Sequence, residues 1–443
     1  ARCFLIAFSL ELLMEILGRR SLVLGVKFMV SSPIVFLYNT SIIFFTLLFA
    51  LFLRKRVFGI VLISIVWLIC GFANFVVLGY RITPFAAIDL LMVKDVISML
   101  DVYFSKVQQV LLVVAAVAVI AGIVILFRKS PKFEGKKHVM RTMVVCIVMW
   151  IGIMFFTNFN VSHNIISDDF ANLGMAYQDY GFAYCFTNSI IDNGITKPDD
   201  YDESTMIHLK NELNSEEFDA DESKKKTPNI VCVQLESFFD PNVVEGLTLS
   251  ENPIPNFTKL KEKFPSGYFT MPALGAGTAN SEFEVLTGIR SAYFGAGEYP
   301  YKTTVNKVPV EGMCSLLEKE GYHTFAMHNN KSSFYDRKDV YNEMGFERFI
   351  SLEYMYNVQK TSTGWAKDQV LVYNIKNSLR STEGSDFVFT ISVQGHGKYP
   401  EELGACDEKI KVSYPQDPVK ENQLTYYVNQ LHEMDQMIHD LIT

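Results

Sequence analysis

Pro228-Asn229-Ile230-Val231-Cys232-Val233-Gln234-Leu235-Glu236 is a short apolar run, rich in β-branched residues, opened by proline and closed by a carboxylate. That form reads as a buried strand. It recurs twice further on: His323 to Met327 runs into His328, and Phe387 to Val393 runs into Gln394-Gly395-His396. Helical stretches separate the three runs, which predicts an α/β domain with a mostly parallel sheet over residues 228–443. In open α/β sheets ligands bind beyond the carboxyl ends of the strands, so Glu236, His328 and His396 are placed to converge. Each alone is more often a satisfied structural residue; the three together point to a site.

Between the first two runs lies Met271-Pro272-Ala273-Leu274-Gly275-Ala276-Gly277-Thr278-Ala279-Asn280-Ser281-Glu282-Phe283-Glu284-Val285-Leu286, a glycine-rich loop that leads into an amphipathic helix ending near Gly288. Thr278 falls at or just before the helix N-terminus. It is either an N-cap or a residue facing a bound anion, because free N–H groups and the helix dipole favour negative charge there. A threonine hydroxyl is a poor nucleophile near neutral pH, and metal coordination is one way to activate it. Glu236 is a hard-oxygen donor suited to the same ion, with Mn2+ or Mg2+ preferred by carboxylate and hydroxyl ligands.

Working backward from Pro228, residues 197–227 are densely charged and too poor in apolar side chains to form a core. Residues 158–227 therefore read as a juxtamembrane segment and linker, and residues 1–157 as a transmembrane domain. Uncharged apolar runs at 33–53, 57–79 and 107–127 are long enough to cross a bilayer, and 142–157 is extended by snorkelling of Arg141. The opening run, about 3–17, contains Glu11 and Glu15 and is counted as a truncated first span, giving about five. These two acids share a helix face and serve either packing or contact with a lipid headgroup. The stretch Thr83 to Phe104, with Phe85, Ile88, Leu91 and Met92 at helical spacing, reads as an interfacial amphipathic helix.

Residues 1–157 hold 16 Lys and Arg against 6 Asp and Glu, and the remainder 24 against 42. An acidic soluble half argues against a nucleic-acid partner. Arg54-Lys55-Arg56 and the segment Arg128 to Lys137 are assigned to the cytoplasm by their positive charge, whereas Asn158 through Thr196 contains no Lys or Arg. The soluble half is thus expected outside the cytoplasm, on a multi-pass cell-membrane protein. Arg19, Arg20 and Lys27 dissent, because five spans place them outside as well. Seven scattered cysteines, without a CxxC pair, read as structural.

In order and spacing, Leu235-Glu236-Ser237-Phe238, Gly277-Thr278-Ala279-Asn280-Ser281-Glu282, His328-Asn329-Asn330, Phe334-Tyr335-Asp336-Arg337 and Gly395-His396 resemble the lipoteichoic acid synthase family of membrane phosphotransferases. That family lies within the alkaline phosphatase and sulfatase superfamily. The resemblance implies a sulfatase-like ectodomain in which Glu236 and Thr278 bind the metal and Thr278 is the nucleophile. It implies that His328, Arg337 and His396 hold the phosphate and glycerol headgroup, with Tyr335 where the family often has tryptophan. The family's remaining metal ligands are an Asp-His pair on a later strand, and the chain stops at Thr443 before such a pair. A sequence truncated relative to the whole protein is the expectation. Thr278-Ala279-Asn280-Ser281-Glu282 lacks the Cys or Ser and the Arg of the formylglycine motif, which favours phosphoryl over sulfate chemistry. The implied activity is phosphoglycerol transfer from phosphatidylglycerol to a glycolipid or polyglycerolphosphate acceptor. Phosphoethanolamine transfer, phosphodiester hydrolysis and a non-catalytic receptor or scaffold are the alternatives.

Overall fold

The computed structural model describes residues 2–98, 100, 105–135, 138–167, 170, 172–191, 194–195, 198, 200–215, 227–272, 277–295, 297–397, 399–404 and 408–443. Two compact units emerge. The first comprises Ala1–Gly194, Ala273–Gly277 and Phe294–Tyr299; the second comprises Ile195–Pro272, Thr278–Tyr293 and Pro300–Thr443.

Among the described residues of the first unit, four helices are long and apolar enough to cross a membrane: Pro33–Phe52, Arg56–Val77, Lys106–Lys129 and Val139–Ser162. Lys106–Lys129 and Val139–Ser162 extend past their uncharged runs at both ends, whereas Pro33–Phe52 and Arg56–Val77 stop one and two residues short of theirs at the C-terminal end. A further helix, Arg2–Gly18, has 17 residues and packs on Pro33–Leu48 and Arg56–Val77. Its Ala7, Leu10 and Met14 join Phe36, Ile43, Leu47 and Trp67 in one core. The Lys106–Lys129 helix buries none of its side chains against protein. An apolar helix left bare in this way is solvated by lipid rather than by water.

The expected amphipathic helix at 83–104 does not form as one element. A 3-10 turn at Ala87–Leu90 is followed by a six-residue helix, Val93–Ser98, while Met99 and residues 101–104 lie outside the described residues. Asp89 explains the break, since its carboxylate accepts the Ala86 N–H at 2.9 Å and pairs with Arg81 at 2.6 Å. A side chain that closes a turn onto its own backbone competes with helix propagation.

In the second unit the sheet has four strands in the order β1-β5-β3-β4: β1 is Ile230–Gln234, β3 His323–His328, β4 Arg348–Ser351 and β5 Asp386–Ile391. All three pairings are parallel. A separate antiparallel pair joins β2 (Thr248–Leu249) to β6 (Val412–Ser413). Every residue of β5 is buried, as befits the inner strand of a sheet covered on both faces. Phe325, Met327 and Val388 from the sheet pack against Leu371 and Ile375 of the Gln369–Ser378 helix. Leu431 and Met434 of the long Pro418–Ile442 helix cover Ile254 on another side. Because β1, β5 and β3 are neighbours and run in parallel, the residues after their carboxyl ends are delivered to one edge.

Candidate active site

Glu236 follows β1 by two residues and is almost fully buried. Its backbone N–H donates to Ser392 Oγ at 2.9 Å, tying the end of β1 to the end of β5. Burial raises its carboxyl pKa above the usual range, and the positive groups of His396 and Arg337 act in the opposite direction. Thr278 begins the Thr278–Thr287 helix, and its hydroxyl lies 3.5 Å from Glu236 Oε1. The preceding Gly277 has φ +84°, a left-handed conformation that side chains with a Cβ rarely adopt. That bend starts the helix at Thr278 and leaves its hydroxyl toward Glu236.

His328 ends β3 and is fully buried. Its Nδ1–H donates to the Ile391 carbonyl at 3.0 Å, so the proton sits on Nδ1 and Nε2 carries a lone pair. Burial, then the nearby Arg337 charge, holds its pKa well below the ordinary value. Nε2 has no hydrogen-bond partner among the described residues. A buried lone pair without a donor is costly unless a ligand completes it. His396 Nε2 stands 3.8 Å from Glu236 Oε1, while its Nδ1–H donates to the Gly397 carbonyl at 2.5 Å. Glu236, Thr278, His328 and His396 thus come from the three strand ends and the helix N-terminus that the sequence singled out.

Arg337 departs from expectation. The sequence reading has its fork presented to a phosphate, but the guanidinium is fully buried and the fork is filled by Glu282. Nε donates to Glu282 Oε2 at 3.0 Å and Nη2 to Oε1 at 2.5 Å, with Tyr341 Oη adding a third bond at 2.9 Å. Glu282 lies one turn after Thr278 on the same helix, so Arg337 anchors the element that carries the hydroxyl. Tyr335 is reached through Arg337 as well, its ring 5.2 Å from the guanidinium carbon. Ser237, Tyr335 and Asp336 all have positive φ near 55°, a strain of about 1–3 kcal/mol each that concentrates around functional sites.

Three further residues belong to this neighbourhood without having been singled out. The Trp365 ring lies 4.4 Å from the His396 ring, tilted 44° to it, and its indole N–H donates to the Gly397 carbonyl at 3.1 Å. Asp368 Oδ1 accepts the backbone N–H groups of Val393 and Gln394 and the Asn329 amide, fixing the turn that carries His396. Burial pushes its pKa up to about 6. Tyr427 of the Pro418–Ile442 helix donates to the Ser237 carbonyl at 2.7 Å and accepts the Phe239 N–H at 2.9 Å, clamping the strained turn after Glu236.

As a cation site the arrangement is partial. Glu236 and Thr278 present oxygen donors of the kind that suits a hard divalent ion. No group of three or more His, Cys, Asp or Glu side chains able to hold a metal occurs among the described residues.

Residues 228–443 match the family model of the sulfatases. A Rhizobium meliloti protein named for cyclic beta-1,2-glucan modification is 26% identical over 337 residues, covering 73% of this chain and 50% of its own length. A lipoteichoic acid synthase-like protein of Bacillus subtilis, YvgJ, is 24% identical over 47% of this chain and 34% of its own. The chain therefore spans between a third and a half of these curated relatives. Among solved structures, the Streptococcus pyogenes phosphoglycerol transferase GacH in complex with sn-glycerol-1-phosphate aligns at 23% identity. Its TM-score is 0.49, over 56% of this chain and 66% of that one.

Proposed function

We propose, from the match of residues 228–443 to the sulfatase family model, that the protein is a membrane phosphotransferase moving a phosphoglycerol group from phosphatidylglycerol to an acceptor hydroxyl through Thr278. The observation that carries this reading is the 3.5 Å approach of the Thr278 hydroxyl to the buried Glu236 carboxylate at a helix N-terminus. Glu236 and Thr278 would hold a Mn2+ or Mg2+ ion, which when bound lowers the pKa of the hydroxyl and stabilises charge on the transferring group.

Thr278 Oγ forms a bond to phosphorus while the bond from phosphorus to the diacylglycerol oxygen breaks, and the departing oxygen takes up a proton. An acceptor hydroxyl then attacks phosphorus, gives up its proton and frees Thr278. The first turn of the Thr278–Thr287 helix orients the phosphoryl oxygens through its N–H groups and dipole. His328 Nε2 offers a lone pair, so it suits a hydroxyl hydrogen of the glycerol headgroup rather than a bare phosphate oxygen. His396, held against Trp365, lines the same group. Arg337 contributes by fixing the helix through Glu282.

A glycolipid or polyglycerolphosphate chain is the acceptor proposed. A second reading, an oligosaccharide acceptor, draws on the glucan-modification relative that covers 73% of this chain. The test is incubation of the full-length protein with Mn2+ and labelled phosphatidylglycerol, with either acceptor present. Diacylglycerol release by wild type but not Thr278→Ala supports the proposal. Release only from phosphatidylethanolamine moves the headgroup assignment, and equal release by both proteins rejects Thr278.

A further inference from the structure

The basic residues Arg19, Arg20 and Lys27, which the positive-inside pattern leaves unexplained, line one cavity of about 920 Å3 within the first unit. That is a size typical of sites for small molecules. Leu24, Phe28, Ile34 and Leu78 supply its apolar wall, and Ser31, Ser32 and Asp179 its remaining polar groups. We propose that this cavity binds the phosphodiester headgroup of an anionic membrane phospholipid.

The three cations are not equivalent. Arg19 is used by the fold, paired with Glu15 at 2.9 Å, donating to the Gln178 carbonyl at 2.6 Å and lying over the Phe28 ring. Arg20 and Lys27 are exposed and make no ion pair among the described residues. Arg20 also adopts φ +53°, where glycine or asparagine is the ordinary choice at a helix end. Its guanidinium lies over the Phe75 ring, 4.7 Å from the centroid. Asparagine would relieve that backbone strain and give up only the ring contact.

Position selects the ligand. The cavity takes in Pro33, at the start of the Pro33–Phe52 span, and Leu78, just past the end of Arg56–Val77. At the other end of these spans, Lys55 bonds to the Phe127 carbonyl and Arg56 covers the Phe133 ring. The cavity therefore opens at the end opposite the Arg54-Lys55-Arg56 cluster, the non-cytoplasmic end on the orientation argued from the sequence. Beside it, the Leu22–Ser31 helix exposes Leu22, Val23, Val26 and Val30 around Lys27. An apolar exposed helix with one cation suits the headgroup boundary of a bilayer. The Pro33–Leu48 helix has no side-chain cap at its N-terminus, so Ile34 and Val35 N–H groups add to the cationic lining. Asp179 offers acceptors for hydroxyl hydrogens of the headgroup.

The claim concerns binding and stands apart from the transfer reaction. Its test uses the full chain in detergent, with retained lipid read by native mass spectrometry. Wild type is compared with Arg20→Asn/Lys27→Gln and with the charge-conserving Arg20→Lys/Lys27→Arg. Asparagine relieves the backbone strain at position 20, so a matched or raised thermal midpoint is expected for the first variant. Expected is a loss of retained phosphatidylglycerol of about tenfold or more in the neutralised variant. Phosphatidylcholine retention should not change, and the charge-conserving pair should recover binding. Equal phosphatidylglycerol retention by wild type and the neutralised variant overturns the site. Displacement of the lipid by millimolar soluble glycerol phosphate assigns the cavity to a free phosphate ester and overturns the lipid assignment.

Discussion

Glu282 changes what Arg337 is for. An arginine among site residues invites a phosphate, yet a buried guanidinium whose Nε and Nη2 are held by Glu282 and whose Nη1 donates to the Phe334 carbonyl has little left to offer a ligand. Removing one partner of such a pair leaves an uncompensated buried charge, costing about 3–5 kcal/mol. Arg337→Met is therefore expected to lower stability by about that amount in thermal or denaturant unfolding, and Glu282→Gln on that background to restore part of it. Additive losses would contradict the pairing. Asp368 gives a second residue-level prediction. Its folded pKa of about 6 exceeds the unfolded 3.8, so its contribution is complete below pH 3.8 and is lost as pH rises through about 6. The difference is worth about 3 kcal/mol. Urea unfolding with a chelator present should show stability declining over that window in wild type but not in Asp368→Asn; parallel profiles would contradict it. Glu236, His328 and His396 were legible because each ends a recognisable strand. Glu282 stood inside a quoted motif, but its partner lies 55 residues away, and no local pattern announces such a pair. Trp365 and Asp368 were missed because they sit in and just after an irregular segment whose contacts are all long-range.

Among the elements, β1, β3 and β5 were readable from composition: the inner strands β3 and β5 are buried and write continuous apolar runs, and β1, at the edge and only half-buried, carries a similar run. The edge strand β4, only Arg348–Ser351, carries no such run, and β2 and β6 have two residues each. The 83–104 stretch misled because Asp89 reads as the polar face of a helix when it is the closure of a turn. The Pro418–Ile442 helix acts on the site through Tyr427, which holds both polar groups of the turn after Glu236. Tyr427→Phe leaves a part-buried N–H unpaired and is expected to cost about 1–2 kcal/mol. It should also weaken metal binding by the full-length protein, measured by calorimetry, if Glu236 is a ligand. Unchanged affinity together with unchanged stability would show that the clamp is idle.

For the whole molecule, the Lys and Arg clusters beside the spans and the lack of either in Asn158 through Thr196 predict a soluble domain that faces outward. A cysteine introduced at Glu262 in an otherwise cysteine-free protein should react with a membrane-impermeant maleimide in intact cells, whereas one at Glu134 should react only after lysis. The reverse pattern would invert the topology and remove extracytoplasmic acceptors from consideration.

The central claim is a covalent intermediate on Thr278, and the direct measurement is mass spectrometry of the peptide containing Thr278 after incubating the full-length protein with phosphatidylglycerol and Mn2+ but no acceptor. The account predicts a mass increase of one glycerophosphoryl group on Thr278, lost when acceptor is added and absent in Thr278→Ala. Diacylglycerol released at the wild-type rate with Thr278 unmodified, and undiminished in Thr278→Ala, would contradict it.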